Sequence, residues 1–462
     1  MTQANRVHYG NINQNQPRAG VPALAIALTI SCGFAPTAAL AQAPATPVAS
    51  QPADSAKPDT FMRVVDQKSK SIELQIATRD FARVDDQPGP RVGLIGVAHI
   101  GDKSFYRDVQ NLLKTYDVVL YESVKPEGTT KPGGETAEQR IDSTKASMRF
   151  VGGLIESYRH EHDAYPENVD ALKTFATQHD PRLAQFLAVA LVDAWGTPLL
   201  YVPHTNPEPA APPVAPTYQL LSLGADHIPG GEGENADLDL GDEVPPDPME
   251  LSKDDGLQSQ LASALGLEFQ LDALDYSPAN WRCSDMAMDE LNRRLQAKGL
   301  DFEVLGGTLA GSSFPAKVIS GVLSVMKFFD SFMEGAIADT FKIAMIELLG
   351  DPTLVDVSLN QLGAGFGEVI INDRNQIPIN DLEAIIEHEP EVKSVAILYG
   401  AGHMNLLQKQ LCEQLHYTPV EGGEHWHSAI KVDLAHSAVS PREIMQIRMM
   451  IRQAIKQQMG AR

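Results

Sequence analysis

The chain has 462 residues, 43% of them hydrophobic, with 37 Lys and Arg against 60 Asp and Glu for a formal charge of -23. That is room for two or three domains with real apolar cores, which excludes a disordered chain. So much negative charge repels nucleic-acid phosphates and anionic membranes, and excludes nucleic-acid binding as a function class.

Asp54 is the first acidic residue. Before it come Arg6 and Arg18, the apolar run "VPALAIALTISCGF" (21–34) and small residues ending "AALAQA". This three-part layout predicts a secretory signal peptide over 1–41, cleaved after Ala41, and an exported protein in the periplasm or outside the cell. A membrane anchor would need about 18 uninterrupted apolar residues, and Pro36 follows the run too soon. Cys32 sits in "TISC", which lacks the leucine expected before a lipid-bearing cysteine, so a lipid-anchored form is the minor alternative. Without this segment only Cys283 and Cys412 remain, enough for at most one disulfide. Residues 42–60 read as a Pro/Ala linker.

Next, "SIELQIATRDF" (71–81) alternates like a half-buried strand. "RVGLIGVAHI" (91–100), "KSFYRDVQNLLKTY" (103–116) and "DVVLYES" (117–123) form a strand, a helix and a strand. This βαβ pattern predicts two parallel neighbours, buried on both faces. Residues 148–240 change character and read as an inserted domain built on a long helix, "KASMRFVGGLIESYRHEHDA". An acidic linker follows over 241–258, with Lys253 its one lysine. Residues 316–350 have helical periodicity but too many charges for a membrane span. "EVKSVAILYGAGH" (391–403), "NLLQKQLCEQL" (405–415) and "HSAIKVDL" (427–434) restore the strand-helix-strand pattern, so the two flanks are expected to build one α/β sheet. A helix is expected over 436–462.

Ligands gather at the carboxyl ends of parallel strands, where loops open into a crevice. Three such ends carry a possible metal ligand: His99 in "GVAH", Glu122 in "VVLYE" and His403 in "GAGH". Each histidine stands three residues after a glycine. Two imidazoles and a carboxylate suit zinc, manganese or cobalt and leave a coordination position for a hydrolytic water. Taken singly, each histidine could be an ordinary hydrogen-bonded strand-end residue, and Glu122 could cap the next helix. The repeated Gly-x-x-His arrangement on strands of one sheet favours the joint site. There is no HExxH, GxxxxGK[ST] or GxSxG pattern, and the His-x-His pairs in "RHEHD" and "EHWH" read as surface histidines.

The segments "VGLIGVAHIGDKSF", "DVVLYES", "IINDRNQ" and "VAILYGAGHMNLL" resemble the TraB/GumN family, which includes Tiki-type metalloproteases. The resemblance covers 61–140 and 259–435. It implies a mixed α/β sheet with covering helices, the metal ligands His99, Glu122 and His403, and a peptidase-like hydrolase acting on a peptide or protein. "DRN" matches a family Arg-Asn element, which assigns Arg374 to a substrate carboxylate or developing oxyanion; an arginine salt-bridged near a strand end is the alternative. "FQLDALDY" and "RCSDM" (269–286) are also similar to the family, but no chemistry follows for Gln270 or Asp285.

The insert is similar to the headpiece of type II secretion major pseudopilins, the GspG family, in its Tyr158, Tyr165-Pro166, Asp193-x-Trp195-Gly196, Tyr201 and final glycine-acid loop "SLGADHIPGGEGENADLD". An α+β domain is implied, with Leu154, Ile155 and Tyr158 packed on a small strand layer and Trp195 and Tyr201 filling the gap. The loop has the oxygen donors calcium prefers, Asp226, Glu234, Asn235 and Asp237, and glycines at 230, 231 and 233 that let carbonyls turn inward. It lacks the EF-hand spacing. The resemblance names Asp226 and Asp237 as calcium ligands with the carbonyls of Leu223 and Ile228, although His227 stands where the family has glycine. A solvated acidic loop is the other reading. For the whole chain, the rival to a hydrolase is a non-enzymatic binding protein whose GspG-like domain contacts secretion-system components.

Overall fold

The computed structural model describes residues 60–68, 70–84, 88–203, 218–241, 266–300, 334–350, 365–437 and 439–460. The signal peptide, nearly all of both expected linkers, and residues 316–333 of the expected helix lie outside them. Among the described residues no helix is long and apolar enough to cross a membrane.

The flanks share one mixed sheet. Its strands are β1 (Met62–Asp66), β2 (Ser71–Arg83), β3 (Arg91–Val97), β5 (Val118–Tyr121), β10 (Trp281–Cys283), β11 (Ser394–Gly400) and β12 (Tyr417–Asp433). The order is β1-β2-β3-β11-β5-β10, with β12 also paired to β2. β3, β11, β5 and β10 run parallel, while β1, β2 and β12 add antiparallel pairs.

Two expectations need correction. β3 and β5 are parallel but not neighbours, because β11 lies between them, with Leu398 opposite both Ile95 and Tyr121. The apolar run Val395–Tyr399 is fully buried, and the central slot is where both of its faces can be covered. Nor is β2 half-buried. Ile72 and Leu74 join one core cluster, and Ile76, Ala77 and Phe81 join two others, so neither face is left to solvent.

Helix α1 (Lys103–Leu113) buries Phe105, Tyr106, Val109 and Leu113 against the sheet. Two short strands, β4 (Ile100–Gly101) and β9 (Glu268–Phe269), pair beyond the end of β3. A single helical turn, Gln270–Ala273, follows β9.

The insert has its own core. Helices α2 (Ala137–His162), α3 (Val169–His179) and α4 (Pro181–Ala190) pack with the sheet β6 (Leu200–Pro203), β7 (Tyr218–Ser222) and β8 (Leu238–Asp239) around Met148, Leu154, Ile155, Phe175 and Leu220. Tyr158, Trp195 and Tyr201 lie at its margin. The first helix starts at Ala137 rather than Lys145, because Thr136 and Gln139 form a reciprocal capping box that satisfies its first amides.

Helices α5 (Met288–Ala297), α6 (Glu334–Leu349), α7 (Arg374–His388), α8 (Met404–Leu415) and α9 (Pro441–Gly460) complete the body. The C-terminal expectation of a helix thus holds over 441–460. Helix α8 buries Met404, Leu407, Leu411 and Leu415. Arg374 begins helix α7 after a π-turn at Glu368–Asp373, so it is a helix residue and not one near a strand end. Cys283 and Cys412 are not joined in a disulfide.

Candidate functional site

With β11 between β3 and β5, three chain segments end side by side. Glu122 follows β5, His99 lies two residues beyond β3, and His403 closes a tight helical turn after β11. Gly400 is their meeting point. A Cβ on it would stand 3.2 Å from Glu122 Oε2, 3.8 Å from His403 Cδ2 and 3.9 Å from His99 Nε2. Its lack of a side chain allows this approach.

Glu122 is held on both oxygens. The Gly400 N–H donates to Oε2 at 2.6 Å and Arg374 Nη2 donates to Oε1 at 2.7 Å. Arg374 also grips Asp285, through Nε to Oδ1 at 2.9 Å and Nη2 to Oδ2 at 2.7 Å. The arginine and Asp285 are both buried. Burial would raise the Glu122 pKa, but His403, Arg374, His99 and the Gly400 amide outweigh it and hold the carboxyl well below its usual range. Burial pushes His403 down, so at neutral pH it is the uncharged imidazole and Arg374 is the permanent positive charge beside Glu122.

Each histidine has an amide oxygen on Nδ1. Asn375 Oδ1 lies 2.6 Å from His403 Nδ1, and the Asn375 Nδ2 donates to the His403 carbonyl at 3.1 Å. Gln270 Oε1 lies 3.1 Å from His99 Nδ1, and its Nε2 donates to the Tyr276 hydroxyl at 3.3 Å. With the amide nitrogens engaged elsewhere, the oxygens accept and Nδ1 carries the hydrogen, so in the neutral form of either ring Nε2 is the nitrogen with the lone pair. His403 Nε2 then faces Glu122 Oε1 at 3.5 Å. Two acceptors at that distance call for a proton or cation between them. Among the described residues no three His, Cys, Asp or Glu side chains form a ready metal-ligand set. The donor chemistry nevertheless fits a two-histidine, one-carboxylate site. His99 is solvent-exposed, whereas His403 is buried, so the group faces solvent on the His99 side.

Gln270, Asp285 and Asn375 are therefore the residues that sequence reasoning left without a task. The signal was present in "FQLDALDY", "RCSDM" and "DRN", but nothing local says which side chain each one holds.

The loop at the end of the insert is closed by its own backbone. Ala225 N donates to Glu234 O at 2.8 Å, and Asp237 N to Gly230 O at 3.1 Å. Gly224, Gly230, Gly231 and Gly233 have positive φ, and so does His227, at 60°. The His227 ring is steadied by Thr197 Oγ1 at 2.5 Å from Nδ1. Residues 133–240 match the family model for type II secretion system (T2SS), protein G. No match was found among curated proteins or among solved structures. The protein G-like segment thus includes the capping box, all three helices of the insert and the closed loop.

Within that segment Asp226 Oδ1 accepts from Ile228 N at 3.1 Å and Asp237 Oδ2 accepts from Gly230 N at 3.0 Å. Both carboxylates turn toward their own loop. Leu223 and Ile228 lie on the same loop, with Ile228 exposed. Glu234 instead forms a bidentate pair with Arg140, 2.9 Å from Nη2 to each oxygen. It ties the loop to the start of α2 and is engaged away from any loop cation.

Proposed function

We propose that the protein is an exported, metal-dependent hydrolase of the TraB/GumN type, acting on a peptide or protein, with a T2SS protein G-like insert. The single observation carrying this reading is the pair of facing acceptors, His403 Nε2 and Glu122 Oε1, with both histidines oriented through Nδ1. His99, His403 and Glu122 would hold a divalent Mn, Zn or Co ion, which when bound supplies Lewis acidity and an activated water at neutral pH. The chain's own residues do the rest. Gln270 and Asn375 keep both Nε2 atoms available, Arg374 and the Gly400 amide hold Glu122 as an anion, and Asp285 locks Arg374 in place. Because Arg374 is engaged by two carboxylates, its role in this reading is to hold Glu122, and contact with a substrate oxyanion would need it to release one of them.

In the insert, Asp226 and Asp237, with the carbonyls of Leu223 and Ile228, would hold calcium. Metal analysis of the purified protein, followed by digestion of a peptide library with added Mn, Zn or Co, tests the hydrolase. The expected result is a transition metal near one per chain, with loss of metal and cleavage in His99→Ala and His403→Ala. Wild-type protein that takes up none of the three metals would falsify it. For the loop, calcium at about 100 times its Kd is expected to stabilise the protein by about 2.7 kcal/mol, and Asp226→Ala to abolish the effect.

A second reading rests on the family match at 133–240: a non-enzymatic protein whose insert contacts T2SS components. Retained binding to those components by the isolated insert, together with no cleavage by the full chain, would favour it.

A further inference from the structure

The insert reaches the histidine site through helix α4. Asp180 caps this helix by accepting from Arg182 N and also grips the Arg182 side chain, with Nη2 2.6 Å from Oδ2. The guanidinium is thereby fixed, and it lies 5.6 Å from the Tyr276 ring centroid, within cation–π range. Tyr276 is buried in an aromatic cluster, 5.0 Å from the Tyr121 ring and 5.4 Å from Trp281. Its hydroxyl accepts from Gln270 Nε2, and Gln270 Oε1 meets His99 Nδ1. One turn along α4, Gln185 Oε1 accepts from the Tyr121 hydroxyl at 3.2 Å, beside Glu122, and from the Cys283 amide of β10 at 3.4 Å.

We propose that Arg182 and Tyr276 are positioning residues that fix the orientation of the Gln270 amide and through it the tautomer of His99, making the T2SS protein G-like insert a working part of the histidine site. The inference rests on the hydrolase reading for its purpose and not for its geometry. The Gln270 amide is two-ended. A side-chain amide presents an oxygen acceptor or a nitrogen donor depending on its rotation. While the Tyr276 hydroxyl accepts from Nε2, the oxygen must face His99, and the His99 hydrogen sits on Nδ1. If the hydroxyl is removed or displaced, the amide can rotate, Nδ1 becomes an acceptor, and the hydrogen moves to Nε2, the atom a ligand needs.

The test is imidazole-nitrogen NMR on metal-free full-length protein labelled at histidine, comparing wild type with Tyr276→Phe, Arg182→Met and the exposed-site control Arg107→Met. Wild type and the control are expected to show His99 as the Nδ1–H tautomer alone. Tyr276→Phe should give a mixture, and Arg182→Met should shift the same way. Zinc affinity should fall by about tenfold or more in both, the usual effect of losing an outer partner of a metal-bound histidine. An unchanged tautomer in Tyr276→Phe overturns the proposal, as does a wild-type His99 that carries its hydrogen on Nε2. Tyr276→Phe removes one hydroxyl and decides the matter even if Arg182→Met does not fold. Zinc titration separates the two ideas. A tautomer change without zinc binding by wild type removes the hydrolase reading and leaves the positioning role, whereas zinc binding with no tautomer change does the reverse.

Discussion

The guanidinium of Arg374 stands between Glu122 and Asp285 and is largely buried, and such an arrangement is costly to leave half-built. Breaking a buried ion pair by removing one partner typically costs about 3–5 kcal/mol, since an uncompensated charge stays behind. Arg374→Met is expected to lose that much in urea denaturation, because it strands two carboxylates. Arg374→Lys should recover only part of it, since an ammonium cannot serve both carboxylates through a planar fork. A second residue-scale consequence concerns Cys283. Burial pushes its thiol up to about 12, so little thiolate forms near pH 8. Cys283 is only partly buried, so in a Cys412→Ser background the raised pKa predicts that iodoacetamide at that pH labels it much more slowly in the native protein than in denaturant; equally rapid labelling would contradict the raised pKa.

The element that organises the site is β11. Its apolar run takes the central slot of the sheet, and Gly400 at its end leaves room for Glu122 and both imidazoles. Gly400→Ala would place a methyl 3.2 Å from a Glu122 oxygen. The expected outcome is a folded protein with weakened zinc binding, read by titration beside thermal melting. In the insert, the element-scale test is the cap of α2. Thr136→Ala removes an acceptor from Gln139 N and should cost about 1 kcal/mol of stability.

For the whole molecule, the question is how far insert and body depend on each other. The insert has a core of its own, from Met148 to Leu240, and is expected to fold when expressed as 133–240. The body should fare worse after excision. Gln185 no longer meets the β10 amide and the Tyr121 hydroxyl, and an uncovered edge strand invites association. Joining residue 132 to 241 should therefore give a less stable, aggregation-prone body, seen by size-exclusion chromatography and limited proteolysis. A stable monomer with unchanged melting would show that α4 adds nothing to the sheet.

Much of this was legible in the chain. Strands β3, β5 and β11, helices α1 and α8, and the strand-end positions of His99, Glu122 and His403 follow from local pattern, because burial imposes a period of two or 3.6 residues on any segment; the folded loop of the insert was read only through its resemblance to the pseudopilins, and β10 was not foreseen. Periodicity is silent on which strands are neighbours. β3 and β5 read as adjacent, yet a strand from some 300 residues downstream divides them, since pairing order is set by how the whole sheet covers its faces. The same silence hid the partners of the site residues. Arg374 was read as a contact for a substrate carboxylate or oxyanion, or else as a salt-bridged residue near a strand end; it starts a helix, where it meets Asp285 from another segment.

By itself, then, the sequence determined which groups are carried where: two imidazoles and a carboxylate at strand ends, and acids and glycines in the loop at the end of the insert. Only the tertiary structure decided what each donor is bound to: Arg374 and Gly400 on Glu122, Gln270 and Asn375 on the histidines, and Arg140 on Glu234. The reason is physical. Residue type and local spacing fix which chemical groups a segment carries, whereas tautomer, charge state and orientation are set by neighbours that chain folding brings from elsewhere.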